Sequence, residues 1–517
     1  MNMRSGSQTA SWIHSFPALV VTSALVYGLV FAVHPAWPNF RFTPGLLAGL
    51  EVLITLQLIL AWQAKEGRLP IAHLYLLVML FFIRLIFLFL PGSFGFWGFR
   101  AGTVMNPWLG ILVCGPGAAG LHPAVFQWFL RGGDFVENFP SFIRIFLFAG
   151  WLVLLTVVFW SLPSTHITRD GFDWIQRTTQ PVWHLYVREP LTIGLYRLVF
   201  LFAWPWWEMT SFRVIATLSM LAGVWWAFWY GWFLREKVPD AAGRWLAWLL
   251  AVSSGGMAVL FCGHIEVYAI FLAGVMPVLF FAQRYLNGRG SILPVAVCFS
   301  IAFLLHLSAG WLLPAFLILP FCREKPEKPF GEAARFWGVF MAVMVLFWGG
   351  LAFFCYEGGV LQLLSRVHED FNTGPDRAMF LPAWLWFDRV RLLDLLNSYV
   401  YLSVPCLLLT PLTLAVLPSS FKKETIFWAL LAGGYFLYSF FFNPDRRFPE
   451  DWDLFSGLVL FTALLQVHVW LSPAGGKNEA LEHRPALVYL ASMGALGYAA
   501  AQVWYHHTVP FIPPTLY

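Results

Sequence analysis

Charge is what this chain has least of. Only 11% of its residues are Asp, Glu, Lys or Arg, 59% are apolar, and the mean hydropathy is +0.69. A soluble domain carries about 25% charged residues, so an ordinary water-facing surface is excluded. The net charge of +5 is modest for 517 residues and says nothing about nucleic acid, and no basic stripe interleaved with aromatics suggests such a partner. Cysteine is scarce as well. Cys114, Cys262, Cys298, Cys322, Cys355 and Cys406 show no C-x-x-C spacing and sit in or beside apolar segments, which argues against a disulfide framework or zinc site and for small buried hydrophobes. No internal repeat is visible. The first apolar run, Phe16 to Val33, has no small-x-small cleavage site and reads as a retained span.

What the chain has in abundance is apolar runs of about 18–22 residues, each long enough to cross a hydrocarbon core of ~30 Å. They predict spans near 17–36, 44–63, 72–90, 143–162, 211–233, 245–262, 265–283, 291–307, 309–322, 335–355, 396–418, 426–442, 454–472 and 485–505, with a Gly- and Pro-interrupted stretch at 105–130. The expected fold is an all-α polytopic integral membrane protein with about 13–15 transmembrane helices. Aromatics reach 19%, and the 28 Trp gather near segment ends, where such rings anchor at headgroup level. The stretch 193–207 is short for a span and reads as an interfacial helix.

The loops differ in chemistry. Arg235-Glu236-Lys237, Arg284 with Arg289, Arg323 to Lys328, Lys422-Lys423, Lys477 and Lys65 fall on one side when the spans alternate, so that side holds all seven lysines and is read as cytoplasmic. The opposite side carries 163–192, the Gly263-His264 turn, His306, the loop 356–392 and 443–453. Its cations are arginines, whose rigid donor fork suits phosphate or carboxylate.

Four groups on that side bear chemistry. His166-Ile167-Thr168-Arg169-Asp170-Gly171-Phe172-Asp173-Trp174 sets two acids three residues apart, on one face if helical, and Arg188-Glu189-Pro190-Leu191 follows. Cys262-Gly263-His264-Ile265-Glu266-Val267-Tyr268 places a glutamate at the start of an apolar run, a costly position unless it is paired or faces a wet cavity. His306 ends a span, and His368-Glu369-Asp370 lies in a mixed-charge loop without metal-ligand spacing. Asn443 to Phe455 packs Arg446, Arg447 and the acids Asp445, Glu450, Asp451 and Asp453 together. Each also has a plainer reading: capping acids, an interfacial glutamate, a packed histidine, a charged rim.

Together these pieces resemble the GT-C superfamily of membrane glycosyltransferases that use polyprenyl-phosphate sugars. The resemblance covers about 143–505 and rests on three stretches: Asp170 and Asp173 just after a span, followed by Glu189-Pro190-Leu191 and a juxtamembrane helix; the hairpin 245–283 turning at Gly263 to Tyr268; and Arg391-Leu392-Leu393-Asp394-Leu395-Leu396-Asn397 with Asp451-Trp452-Asp453-Leu454-Phe455, similar to bacterial members. The chain departs from the common pattern in reading Asp170-x-x-Asp173 and in placing spans before the core.

The resemblance implies a GT-C-like core with outer-face juxtamembrane helices at 143–505, an N-terminal membrane segment 1–142 of unassigned role, and a short tail 506–517. It implies a transferase moving a hexose or pentose from a polyprenyl-phosphate donor to a lipid, glycan or protein hydroxyl at the non-cytoplasmic face of a bacterial inner (plasma) membrane, with inversion. Asp170 is the expected base, with Asp173 or Glu266 orienting the acceptor or replacing it. Arg169, Arg188, Arg446 and Arg447 are expected to hold phosphate, and Glu189, His264, His306, Asp451 and Asp453 to contact substrate. No protein metal ligands are expected; a divalent cation, Mg or Mn, is left open as cofactor. The alternatives are a transporter or flippase of lipid-linked sugars, a non-catalytic scaffold subunit, and a glycan ligase or polymerase using a lipid-pyrophosphate donor. Acids clustered at one end of the spans, without paired repeats, favour a surface cleft over a conduit.

Overall fold

The computed structural model describes residues 19–20, 43–66, 69–89, 119–165, 169–180, 188–323, 328–355, 359, 361–362, 364–365, 380–417, 422–442, 452–472 and 484–508. The first expected span (apart from Leu19 and Val20), most of the loop 356–379 and the segment 443–451 lie outside the described residues. Within them the chain is α-helical with short 3-10 turns, and its one β-bridge joins Phe380 to Phe442.

Seventeen α-helices follow one another among the described residues. They are α1 (Thr43–Glu66), α2 (Ile71–Phe89), α3 (Pro123–Glu137), α4 (Ser141–Ser161), α5 (Arg169–Thr179), α6 (Pro190–Trp207), α7 (Ser211–Lys237), α8 (Ala241–Val252), α9 (Gly255–Phe261), α10 (Tyr268–Leu286), α11 (Ile292–Leu305), α12 (Leu313–Cys322), α13 (Pro329–Cys355), α14 (Arg389–Val416), α15 (Lys423–Phe441), α16 (Ser456–Leu471) and α17 (Arg484–Thr508). Their starts carry side-chain caps where the sequence supplies them: Thr210 accepts from Arg213 N–H, Ser291 from Leu293 N–H, and Asp388 from Val390 and Arg391 N–H.

Seven described helices are long and apolar enough to cross a membrane: α4, α7, α10, α13, α14, α17 and α16 with its preceding 3-10 turn. Shorter apolar helices are Ile71–Arg84, Ile292–Leu305 and Leu307–Cys322. The span expected at 245–262 is instead a bent pair, α8 and α9, meeting at 74°. Ser253 and Ser254 hydroxyls both donate back to the Leu250 carbonyl, which unwinds the turn, and Gly255-Gly256 follow. A side chain at Gly256 would come within 2.7 Å of the Leu402 Cα, so close backbone approach fixes that glycine. α14 is broken as well, at Ser403 (φ −164°, ψ 99°), two residues before Pro405. The two breaks meet: Ser254 Oγ and Ser403 Oγ are 2.8 Å apart, and Gln502 Nε2 donates to the Tyr401 carbonyl at 2.8 Å. Polar side chains thus satisfy backbone that an apolar interior cannot.

Burial sorts the helices. The span windows of α10 and α16 are 83% and 94% buried, as expected of helices apolar all round, while α4 is 6% buried and faces outward. α10 packs between α7 and α11, and α16 between α14 and α15. The N-terminal helices dock on this core: α2 against α17, α3 against α8, with the Tyr489 hydroxyl donating to the Gly120 carbonyl at 2.6 Å. Between α1 and α2, Arg84 reaches Glu51 at 2.9 Å and Thr55 at 3.3 Å.

The bundle has two chemically distinct ends. At one, Lys237, Glu424 and His468 form a cluster with Gln283, Arg289 pairs with Glu236 at 3.3 Å, and Arg144 and Arg244 both pair with Glu137. Lys422 and Lys423 stand at this end too, at the start of α15 next to Glu424. At the other end stand the acids and histidines singled out above. α17 continues through Thr508, so His506 and His507 belong to the last helix and not to the tail expected at 506–517.

Candidate active site

The site is built on the six-residue turn between α9 and α10. Gly263 takes φ +78°, and a Cβ there would lie 2.6 Å from Met220 Cε, so both conformation and space call for glycine. The turn is buried throughout: His264 is 0% and Glu266 3% exposed. Ser219 of α7 donates to the His264 carbonyl at 2.9 Å, and the Tyr196 hydroxyl of α6 donates to the Glu266 carbonyl at 2.9 Å. Gly263→Ala is expected to cost about 1–3 kcal/mol through the left-handed backbone and the Met220 contact, and to lower activity by moving His264. A thermal melt of the purified protein alongside its activity checks this.

Two histidine–carboxylate pairs flank the turn. His264 Nε2 lies 3.3 Å from Asp453 Oδ2, across 189 residues of sequence, and Asp453 Oδ1 accepts from Leu454 N–H at 3.1 Å. His264 also faces Trp452 at 5.2 Å and His506 at 6.1 Å between ring centroids, and the His506 ring meets the Tyr401 hydroxyl. With Nε2–H directed to Asp453, the buried Nδ1 of His264 is an acceptor with no partner.

The second pair is Glu189 with His306, Oε1 to Nε2 at 3.2 Å. His306 Nδ1 accepts from Ser308 N–H at 3.0 Å, which puts the proton on Nε2, near Glu189 but without hydrogen-bond geometry to it. His306 itself is extended (φ −160°, ψ 128°) because α11 stops there, and the segment before α6 fills the break. Leu307 N–H donates to the Arg188 carbonyl and the Thr192 hydroxyl to the Leu305 carbonyl, both at 2.9 Å.

α5 closes the site from above, lying against α6 and α7. Its Trp174 indole donates to Glu266 Oε2 at 2.9 Å. Asp170 stands one turn before Trp174, at the i, i+4 position on the same face, in the first turn of the helix where an acid is favoured. Asp170 and Asp173 are both half-buried. Arg177 lies over the Trp174 ring at 5.5 Å.

The expected residues therefore part into three sets. Glu189, His264, Glu266, His306 and Asp453 come together, from four separate stretches of chain. Asp170, Asp173 and Arg188 sit around them, half-buried. Arg446, Arg447 and Asp451 lie outside the described residues, as does the Arg169 side chain. Arg391 turns out to be a helix-end anchor, donating to the carbonyls of Ser439 and Phe442 at 2.8 and 2.9 Å. Among the described residues no group of three His, Cys, Asp or Glu is placed to hold a metal ion, and no step is derived through one. Sequence reasoning did not single out Trp174, Tyr196, Tyr268, Tyr401 and His506. Tyr196 and His506 lay in stretches that read as interface and tail, Tyr401 in a span, and Trp174 and Tyr268 at the ends of motifs whose acids and histidines drew the reading.

No family model matches the chain, and no curated protein matches it by sequence. Two solved structures are similar in fold, both crystal structures of ArnT from Cupriavidus metallidurans. The one in the apo state shares 10% identity with a TM-score of 0.47, and the one bound to undecaprenyl phosphate 11% with 0.46; each match covers 71% of this chain and 78% of that chain.

Proposed function

We propose that this chain is a membrane glycosyltransferase that moves a sugar from a polyprenyl-phosphate donor to an acceptor hydroxyl at the non-cytoplasmic face of a bacterial inner membrane. The observation that carries the reading is the gathering of Glu189, Glu266 and Asp453, from three separate segments and with two histidines, at the end of the bundle opposite the lysines. Buried acids on that scale are costly in a membrane protein and mark chemistry. Their place at a helix end, not mid-span, suits a reaction cleft better than a transport path.

In this reading Asp170 takes the proton of the acceptor hydroxyl as its oxygen attacks C1 of the sugar. The bond from C1 to the phosphate oxygen breaks on the opposite face, and polyprenyl phosphate leaves with the electron pair, giving inversion. Three buried carboxylates repel an anionic leaving group, so the phosphate belongs at the rim beside Arg188, and Arg169, Arg446 and Arg447 are the further arginines to test for holding it. Glu266, held by the Trp174 indole, keeps α5 and its Asp170 over the turn. The sugar, the acceptor and the hexose or pentose class are open to assay. Membranes with and without the chain are given radiolabelled polyprenyl-phosphate sugars and endogenous acceptors. Label reaching an acceptor only where the chain is present supports the proposal; equal labelling in both refutes it.

A further inference from the structure

The mechanism above leaves Tyr268 without a task. It opens α10 directly after Glu266 and Val267, with its ring 4.9 Å from the His306 ring. The carboxylates of Glu189, Glu266 and Asp453 and the phenol of Tyr438 all lie within electrostatic reach of it. Neighbouring tyrosines spend their hydroxyls inside the protein: Tyr196 on the Glu266 carbonyl, Tyr435 on Ser308 Oγ at 2.8 Å, Tyr401 on His506. The Tyr268 hydroxyl makes no hydrogen bond to a described residue, and Tyr268 is partly exposed while residues 262–267 and 269–273 around it are buried. The residue keeps some exposed surface, and a phenol there without an internal partner is a donor offered to something that enters.

Glu189 supplies the matching acceptor. Its Oε1 faces His306, but its Oε2 is buried without a partner, in a residue only 4% exposed. A buried carboxylate oxygen left unpaired costs free energy that an arriving O–H donor recovers.

We infer that Tyr268 and Glu189 recognise hydroxyl groups of a sugar ring and turn away a sugar that carries negative charge. The phenol donates to one ring hydroxyl oxygen, and Glu189 Oε2 accepts the proton of another. A carboxylate or phosphate on the ring would instead meet the like charges of Glu189, Glu266 and Asp453. This rests on the glycosyltransferase reading for the identity of the ligand, and its test is a binding measurement independent of turnover.

Tyr268→Phe keeps the ring and removes a hydroxyl that bonds to no described residue, so its melting temperature should match wild type. Affinities are measured on purified protein in nanodiscs for polyprenyl-phosphate-linked glucose, polyprenyl-phosphate-linked glucuronate, bare polyprenyl phosphate of the same length, and methyl glucoside. Wild type is expected to bind the glucose form about tenfold tighter than the glucuronate form. Tyr268→Phe is expected to lose about fivefold to tenfold on the glucose-bearing ligand, as for one neutral hydrogen bond, and nothing on bare polyprenyl phosphate. The loss falls on the lipid-linked form if the ring held there is the donor's, and on methyl glucoside if it is the acceptor's. No loss on either, or glucuronate bound as tightly as glucose, overturns the assignment. A chain that shows these differences but transfers no sugar refutes the glycosyltransferase reading and leaves this one standing.

Discussion

Asp170→Asn is expected to lower sugar transfer about 10²–10⁴-fold, the contribution of a positioned general base, at unchanged expression. The substitution is nearly isosteric; it removes the ability to take a proton together with a charge that is worth about 0.3–1 kcal/mol at a helix start. Asp170 stands in the first turn of α5, half-buried, one turn before the Trp174 that docks on Glu266. That docking separates the two acids by role. Glu266→Gln keeps a side-chain oxygen to accept from the indole, so it is expected to cost far less than Asp170→Asn. Initial rates for the two variants beside wild type check this. Equal rates in Asp170→Asn and wild type would move the base to Glu266.

The largest expected effect on stability lies at the far end of the bundle. Lys237 is buried at the end of α7, where its ammonium donates to Glu424 of α15 and meets His468 Nδ1 of α16 at 2.6 Å. Gln283 of α10 donates to the same Glu424 oxygen at 3.1 Å, so four helices share one polar knot. Lys237→Met leaves the Glu424 carboxylate without its ammonium and is expected to cost about 3 kcal/mol. The double variant Lys237→Met with Glu424→Gln removes both charges and should recover most of that loss. Tryptophan-fluorescence melts of the three proteins in detergent measure it. A double variant no more stable than Lys237→Met would show that the knot acts through packing and not through charge. Transfer per folded molecule should stay unchanged, because the cluster lies at the end away from the proposed chemistry.

Much of this architecture could be read from the chain because hydropathy is local. The apolar runs located the main helices, and the segregation of lysine distinguished the two ends. Gly263-His264 was legible as a tight turn because so little chain separates two apolar runs there. The breaks were not legible. Hydropathy averages across Ser253-Ser254 and Ser403, although serine back-bonding and Pro405 were visible as local signals.

The site was half legible, since residue type announced Glu189, Glu266 and His264 but nothing local announced their partners. His264 meets Asp453 across 189 residues, and Thr165 meets the His506 carbonyl across 341. Such pairings depend on how α7, α10, α16 and α17 stack. Tyr196 and Tyr268 were overlooked because aromatics are everywhere in this chain, so their type carried no information until their hydroxyls were placed.

The most direct test of the account follows the fate of the donor in proteoliposomes holding only the purified protein, a labelled polyprenyl-phosphate sugar and an acceptor. One polyprenyl phosphate is expected to be released for each sugar joined to acceptor, with the anomeric configuration of the product opposite to that of the donor. Donor recovered intact on the other side of the bilayer, with no sugar on the acceptor, would contradict it and make the chain a carrier.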